Sequence, residues 1–322
     1  METRKLPHTE LEVPRACFGT MTFGGQTDEA AAARIVDLCL DREVNFFDTA
    51  NVYTEGRSET VLGKILKGRR SRCILASKVG SKTPATADKP RLTKKLILSH
   101  IDASLERLQT DYLDLYYLHM PDYATPIEET LDAMDTVVRS GKARYPAISN
   151  YASWQVAQVH CLSAGKGYRP PYVSQPMYNF LARGIEEEYV AFCKEFGISM
   201  IVYNPLAGGL LTGKQQRERP LSGTRFDNNQ MYLDRYWHPA YFDAVDELQV
   251  VARNSGRSMI DLALNWLLSH TATDCVILGA SRIEQLEQCL EVFGRGPLPA
   301  EALTGIDSVW RQLRGVTPKY NR

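Results

Sequence analysis

The stretch NFFD, residues 45–48, places a polar residue directly after a short apolar run. The chain repeats this arrangement in ILASK, residues 74–78, and in LDLYYLH, residues 113–119. Each run has the length of a buried strand, and a helix-like segment separates it from the next. The carboxyl ends of the strands of a parallel barrel meet at one mouth, where catalytic groups collect. We therefore expect four side chains at one mouth: Asp48, Tyr53, Lys78 and His119.

Strand-like and helix-like segments alternate along the rest of the chain. The predicted strands are residues 44–47, 73–77, 112–118, 143–149, 172–175, 198–203 and 275–278. The predicted helices are residues 27–42, 58–66 with Ser58 as its cap, 93–108, 127–140, 154–164, 185–196, 258–269 and 282–290. Repeated β-α units predict a parallel sheet, and this many units favour its closure. We expect an α/β fold, a (β/α)8 TIM barrel, with residues 1–322 as a single domain with long active-site loops.

One segment, residues 206–237, interrupts this alternation. It is long, rich in glycine and polar residues, and it contains the aromatic cluster MYLDRYW, residues 231–237. Long loops in compact domains are usually functional or disordered, and this cluster is too aromatic for plain disorder. We interpret the segment as a cofactor and substrate lid over the barrel mouth. The alternative is a surface excursion that packs on itself.

The overall composition excludes several classes of protein. The chain has 322 residues, 44% of them hydrophobic, with a formal net charge of zero. No long-range field therefore favours nucleic acid or an anionic membrane as a partner. The seven cysteines are scattered and none forms a C-x-x-C pair, so we expect reduced thiols, a cytoplasmic location and no metal. The sequence shows neither a signal peptide nor a stretch long enough to span a membrane.

The ordered motifs resemble those of the aldo-keto reductase superfamily. They are FDTANVY (47–53), GRSE (56–59), ASK (76–78), YLH (117–119), SNY (149–151), YNPL (203–206) and LGAS (278–281). Further stretches resemble its aflatoxin-aldehyde/succinic-semialdehyde reductase branch: LHMPD (118–122), PIEETL (126–131), NPLAGGLLTGK (204–214), the cluster at 232–237 and YNR (320–322). Two positions depart from the family pattern. Pro146 stands in a strand that usually contains glycine, and because proline cannot donate a ladder hydrogen bond, a local bend is expected there. Cys289 stands where an adenine-binding Asn is common.

Reduction of an aldehyde needs a hydride and a proton, and only a cofactor can supply the hydride. The resemblance implies NADPH/NADP+, bound in an extended form without a Rossmann domain. Tyr53 is the expected proton donor, with an ordinary pKa near 10 that an adjacent Lys78 ammonium lowers. Asp48 would hold Lys78 in place, and His119 would donate a hydrogen bond to the substrate oxygen. Taken singly, these residues could equally be a turn cap, a surface cation, a packed aromatic and a strand-end histidine.

The remaining cofactor residues divide by the part of the cofactor that they suit. Tyr203 could stack on the nicotinamide, while Ser149, Asn150 and Gln175 suit its carboxamide; core packing and capping are the alternatives. Gly208, Gly209 and Lys214 suit a diphosphate, or else form a flexible surface loop. Ser281 and Arg282 open a helix and suit the 2′-phosphate, or else form a cap with a solvated arginine. Further expected contacts, several from the resemblance alone, are Asp48, Asn204, Pro205, Leu206, Leu210, Arg225, Gly279, Gln285 and Gln288.

The substrate is expected to be a small aldehyde or ketone. Tyr232 and Arg235 share a face if their segment is helical, and Arg322 is the last residue. With His119, these residues would bind a carboxylate-bearing or dicarbonyl aldehyde. A lid salt bridge and a frayed terminal arginine are the alternative. The superfamily also resembles potassium-channel β subunits, so a cofactor-sensing regulatory subunit is one alternative function. A reductase of a keto-sugar or another biosynthetic intermediate is a second alternative. The branch includes dimers, which makes a homodimer an expectation.

Overall fold

Eight parallel strands close into a barrel in the computed structural model of the chain, which describes residues 1–86 and 89–318. The ten strands are β1 (Thr3–Lys5), β2 (Glu12–Pro14), β3 (Ala16–Gly19), β4 (Phe46–Asp48), β5 (Ile74–Val79), β6 (Leu113–Leu118), β7 (Ala143–Ser149), β8 (Val173–Gln175), β9 (Ser199–Val202) and β10 (Cys275–Leu278). Strands β3 to β10 pair in chain order, and β10 closes the barrel against β3. The prediction of a (β/α)8 TIM barrel is confirmed.

Eleven α-helices connect and surround these strands within the described residues. They are α1 (Glu29–Asp41), α2 (Arg57–Leu66), α3 (Lys94–Leu108), α4 (Ile127–Arg139), α5 (Ser153–Lys166), α6 (Tyr189–Glu195), α7 (Gln230–Tyr236), α8 (Pro239–Asn254), α9 (Met259–His270), α10 (Ile283–Leu290) and α11 (Ala300–Arg314). Thr93 and Ser258 cap α3 and α9, because each side chain accepts a hydrogen bond from a first-turn N–H group. None of these helices is long and apolar enough to cross a membrane.

An antiparallel hairpin, β1–β2, covers the amino-terminal end of the barrel. Leu6, Leu11 and Val13 are buried against residues such as Phe46 that fill the amino-terminal end of the barrel interior. The Glu10 N–H donates a 2.9 Å hydrogen bond to the Tyr145 hydroxyl, which ties the hairpin to β7. The hairpin seals the end opposite the mouth, so access to the barrel interior is from the carboxyl ends of the strands.

Several local predictions need correction. Ser58 does not cap α2, because Gly56 occupies the N-cap with φ 87° and Ser58 is buried within the first turn. The predicted helix 185–196 is a short 3₁₀ turn followed by α6. Pro146 lies within β7, and the register of β7 with β6 continues through it. The strands β1 to β3 and the helices α7, α8 and α11 are not among the elements predicted from the sequence.

Candidate active site

Asp48 and Lys78 form a buried ion pair at the mouth of the barrel. Asp48 is the last residue of β4 and pairs with Ala76 of β5; Lys78 lies two residues further along on the same face of the strand. Lys78 is therefore inside the strand, not after it as predicted. Its side chain is 0% exposed and also donates a 2.9 Å hydrogen bond to the Thr49 carbonyl. Burial lowers the pKa of Lys78, but Asp48 and Tyr53 outweigh this and raise it, so the amine stays charged.

Tyr53 presents its hydroxyl to this ammonium. The Lys78 Nζ lies 3.4 Å from the Tyr53 Oη and donates to it. Burial is the largest influence on the phenol and raises its pKa, while the Lys78 charge acts in the lowering direction. The prediction that the Tyr53 pKa lies below its ordinary value is therefore wrong, although the direction of the Lys78 effect is as expected. At neutral pH Tyr53 holds its proton.

The His119 ring lies beside the Tyr53 ring, although the two residues follow different strands, β6 and β4. His119 follows β6 directly, and its backbone N–H donates a 2.8 Å hydrogen bond to the Val79 carbonyl. The two rings are 5.9 Å apart and nearly perpendicular. Burial, assisted by the Lys78 charge, lowers the pKa of His119 to about 3, so the imidazole is neutral and carries one N–H. Its Nδ1 is buried without a hydrogen-bond partner among the described residues.

A hydrogen-bond network continues from this group around the mouth. Gln175 donates from Nε2 to the second Asp48 oxygen at 2.9 Å, so this amide supports the ion pair. Asn150 donates to the His119 carbonyl at 2.9 Å and to the Ser149 hydroxyl at 3.0 Å. Tyr203 donates to the Asn150 Oδ1 at 2.7 Å. The residues predicted for the nicotinamide end thus lie together and fix one another's orientation.

The glycine turn after β9 contains two glycines with different surroundings. Gly208 and Gly209 have φ values of 69° and 101°, which favour glycine. A Cβ on Gly208 would come within 2.7 Å of the Tyr232 ring, so the absence of a side chain there serves protein packing. No atom of the described residues, apart from the chain neighbours, lies within 4 Å of a Cβ on Gly209 or on Gly279 after β10. Backbone is therefore exposed at these two positions, while Pro205 and Leu210 point into the protein.

The first turn of α10 differs from its predicted form. The Gln285 Oε1 accepts hydrogen bonds from the N–H groups of Ser281, at 2.9 Å, and Arg282, at 3.3 Å. Gln285, in the first turn of α10, therefore bonds the N–H groups of the two residues that precede the helix, so these two groups are not free. Arg282 is exposed and forms no ion pair with any described residue. Gln288 is exposed, whereas Cys289 is buried at 3% exposure and faces the core.

Residues 206–237 cross the end of β10, which lies between β9 and β3. The Gln26 side chain donates a 2.7 Å hydrogen bond to the Gly223 carbonyl, and Arg225 contacts the Met21 sulfur at 3.1 Å. The segment therefore starts at β9 and reaches the loop that follows β3. It also packs on itself, because Phe226 contacts Tyr232 and Trp237 through their rings. The segment therefore lies at the mouth and packs on itself, and its function as a lid stays a prediction.

Helix α7 carries the predicted substrate residues within this segment. The Tyr232 ring centroid lies 5.5 Å from the guanidinium carbons of both Arg225 and Arg235. Neither arginine forms an ion pair in the part of the chain that the structure describes. Burial raises the pKa of Tyr203 to about 12, and the Arg235 charge acts against this rise. Arg322 lies outside the described residues.

One residue that the sequence analysis missed holds α7 in place. The Tyr236 hydroxyl, on a residue that is 1% exposed, accepts hydrogen bonds from Asn204 at 2.9 Å and Asn179 at 3.0 Å. The Asn204 Oδ1 in turn accepts from the Gly208 N–H at 2.8 Å. Asn204 therefore anchors the glycine turn from inside the protein. The spacing of four residues between the aromatic side chains of Tyr232 and Tyr236 is the one sequence signal for this contact.

The described residues contain no group of His, Cys, Asp and Glu side chains that could hold a metal ion. The site is instead an array of proton-carrying groups around one buried cation. It can protonate an oxygen atom from Tyr53 while His119 and Lys78 stabilise negative charge nearby.

Known proteins resemble this chain over most of its length. Residues 15–311 match the Aldo/keto reductase family. Aflatoxin B1 aldehyde reductase member 2 of Rattus norvegicus is 37% identical, over 96% of this chain and 88% of its own length. Aldo-keto reductase family 7 member A3 of Homo sapiens is 36% identical, over 96% of this chain and 97% of its own. A probable voltage-gated potassium channel subunit beta of Arabidopsis thaliana is 34% identical, over 92% and 93%.

Proposed function

The chain belongs to the aldo/keto reductase family and is an oxidoreductase of aldehydes, and from this premise we propose that it is an NADPH-dependent aldehyde reductase with Tyr53 as proton donor. The observation that carries the proposal is the 3.4 Å distance between the Tyr53 Oη and the Lys78 Nζ at the barrel mouth. The substrate carbonyl carbon gains the hydride, its oxygen gains the Tyr53 proton, and the product is an alcohol.

Each member of this group has a separate task. The Lys78 ammonium stabilises negative charge on the Tyr53 oxygen after the proton has left, and Asp48 keeps the ammonium charged and in place. The neutral His119 donates its N–H to the carbonyl oxygen, which orients the substrate and stabilises developing charge. Water would return a proton to Tyr53.

The residues around the mouth fit a dinucleotide. When bound, NADPH supplies the hydride. Tyr203, Asn150 and Ser149 would hold the nicotinamide end, and the open backbone at Gly209 and Gly279 allows close approach of a diphosphate. Lys214 and Arg282 are exposed cations without an ion-pair partner among the described residues, and they would bind the phosphates. Hydrogen bonds among Asn204, Gly208 and Tyr236 hold the glycine turn on the side that faces the protein interior.

Replacing Arg282 with alanine is expected to weaken NADPH binding by about ten- to hundred-fold, because a charged hydrogen bond to phosphate contributes about 1.5–3 kcal/mol. NADH binding should change by less than about two-fold, since NADH lacks the 2′-phosphate. Dissociation constants from quenching of protein fluorescence measure both effects. The matched control is Arg253→Ala, because Arg253 is also an exposed arginine but lies on α8. Equal losses for the two cofactors would remove the phosphate role from Arg282.

A carboxylate-bearing aldehyde is the substrate class that we propose, because the Arg235 cation lies 5.5 Å from the Tyr232 ring without an acidic partner among the described residues. NADPH oxidation should be faster with succinic semialdehyde than with butanal. Arg235→Ala should lower kcat/KM for the charged aldehyde by about ten- to hundred-fold and leave butanal within about two-fold. Equal values for the two aldehydes in the wild type would leave Arg235 as a structural residue. An absence of NADPH oxidation with these aldehydes and with 4-nitrobenzaldehyde would reject the proposed function.

The 34% identity to the Arabidopsis relative named as a probable potassium channel subunit supports a second candidate, a cofactor-sensing regulatory subunit. Such a protein would bind NADPH tightly and turn over slowly. Measured turnover on the aldehyde panel separates the two candidates, and it also separates aldehyde reduction from reduction of a keto-sugar. Fast turnover of an aldehyde favours the reductase.

A further inference from the structure

Ser58 and Glu59 are buried residues in the first turn of α2, immediately behind the ion pair. The Ser58 hydroxyl donates a 2.7 Å hydrogen bond to the Thr20 carbonyl and lies 3.0 Å from the Thr49 hydroxyl. Thr49 follows Asp48, and its carbonyl accepts a hydrogen bond from Lys78. Ser58 therefore holds the segment that carries both Asp48 and one of the Lys78 acceptors.

Glu59 makes the corresponding contact with the neighbouring strand. It is 0% exposed, and its Oε1 accepts a hydrogen bond from the hydroxyl of Ser77, the residue before Lys78. Its Oε2 accepts from Arg107 of α3 at 2.7 Å. A buried carboxylate is retained only when it is paired, and Arg107 supplies that partner. Adjacent residues of one helical turn thus reach both strands that carry the ion pair.

The same turn is joined directly to Tyr53 by a strained segment. Thr54, Glu55 and Gly56 have consecutive φ values of 47°, 60° and 87°. The left-handed conformation costs about 1–2 kcal/mol for a residue that is not glycine, and such strain persists where the surroundings enforce it. Thr54 donates a 2.7 Å hydrogen bond to the Phe23 carbonyl. The Arg107 side chain covers Gly56, because a Cβ there would lie 3.2 Å from its Cδ.

We propose that Glu59 is a positioning residue that sets the separation of Tyr53 and Lys78 by joining the strained turn after Tyr53 to Ser77 on β5. The link runs from the turn through Glu59 to the strand, and Arg107 closes it by contacting both Glu59 and Gly56. This role rests on the proposed function, since it assigns geometry to the group that donates the proton. It explains why a charged residue is fully buried beside a group that already contains one ion pair.

Ser77→Ala tests the link, because it removes one hydroxyl and leaves the Glu59–Arg107 pair intact. A shift of about 1 Å in reacting groups costs about 100-fold, so we expect kcat to fall by about ten- to hundred-fold. The NADPH dissociation constant and the aldehyde KM should stay within about two-fold. Ser163→Ala, at a buried serine of α5 for which no side-chain hydrogen bond is seen among the described residues, is the matched control. A kcat equal to that of the control would overturn the proposal.

A second measurement does not depend on turnover. NMR of protein labelled at the tyrosine Cζ carbons reports the titration of Tyr53, which the missing signal in Tyr53→Phe assigns. Ser77→Ala should move the Tyr53 midpoint upward, because a more distant Lys78 stabilises the phenolate less. An unchanged midpoint would contradict the proposal even if kcat falls. If the wild type reduces no aldehyde, the proposed function fails, while this titration still tests the link.

Discussion

Replacing Tyr53 with phenylalanine is expected to lower kcat for aldehyde reduction by about 100- to 10,000-fold, the usual contribution of a positioned acid. The substitution removes only the hydroxyl that lies 3.4 Å from the Lys78 amine and leaves the ring, so packing should be retained. Steady-state NADPH oxidation with a saturating aldehyde measures the effect. The NADPH dissociation constant should stay within about two-fold of the wild type.

The matched control for this experiment is Tyr241→Phe, at a partly buried tyrosine of α8 that is outside the group at the mouth. It should retain the wild-type kcat. If Tyr53→Phe retains turnover as well, the proton comes from another group, and His119 or a bound water would become the candidate. If Tyr53→Phe also loses cofactor affinity by more than tenfold, the hydroxyl belongs to the binding surface and the assignment as acid fails.

Lys78→Met is expected to reduce both stability and turnover. The methionine fills a similar volume, but it leaves the buried Asp48 carboxylate without its cation. Breaking a buried pair in this way costs about 3–5 kcal/mol. The free energy of unfolding from urea denaturation, followed by circular dichroism, measures this loss. Turnover should fall at least as far as in Tyr53→Phe, because the phenolate left after proton transfer loses its partner.

The double variant Asp48→Asn/Lys78→Met separates the two effects. Asn removes the unpaired charge, so the double variant should regain part of the stability that the single variant loses. It should not regain turnover, because the ammonium beside Tyr53 is still absent. A single variant as stable as the wild type, or a double variant with restored turnover, would contradict the role assigned to the pair.

The sequence predicts every barrel strand that alternates with helix-like segments, from β4 to β10. The longest of them, β5, β6 and β7, contain six or seven residues each and agree with the predicted ranges within about two residues at each end. Strand β3 and the hairpin strands have three or four residues each and precede the first helix, so neither a period nor the alternation marks them. Helix α8 is different, because Phe242, Val245, Leu248 and Ala252 recur at helical spacing and are buried. That helix can be predicted from the sequence.

Part of the candidate site can be predicted from the sequence, and part depends on the folded structure. The order of Asp48, Tyr53, Lys78 and His119 is visible in linear motifs, and the closed barrel brings them together. The contact of Gln175 with Asp48 depends on side chains that are 127 positions apart, which no local pattern encodes. The net pKa of Tyr53 depends on how deeply the hydroxyl is buried, and composition and spacing carry no information about depth.

The depth of the Tyr53 hydroxyl also sets how the proposed reaction responds to pH. Burial raises its pKa above the ordinary value near 10, so across the physiological range the phenol holds the proton that carbonyl reduction consumes. The reverse process, oxidation of an alcohol, must begin from the phenolate, which is scarce until the solution is strongly alkaline. The overall equilibrium fixes the ratio of the two rates at each pH, so the consequence is a pair of opposed pH profiles: as the pH rises, oxidation should gain speed while reduction loses it.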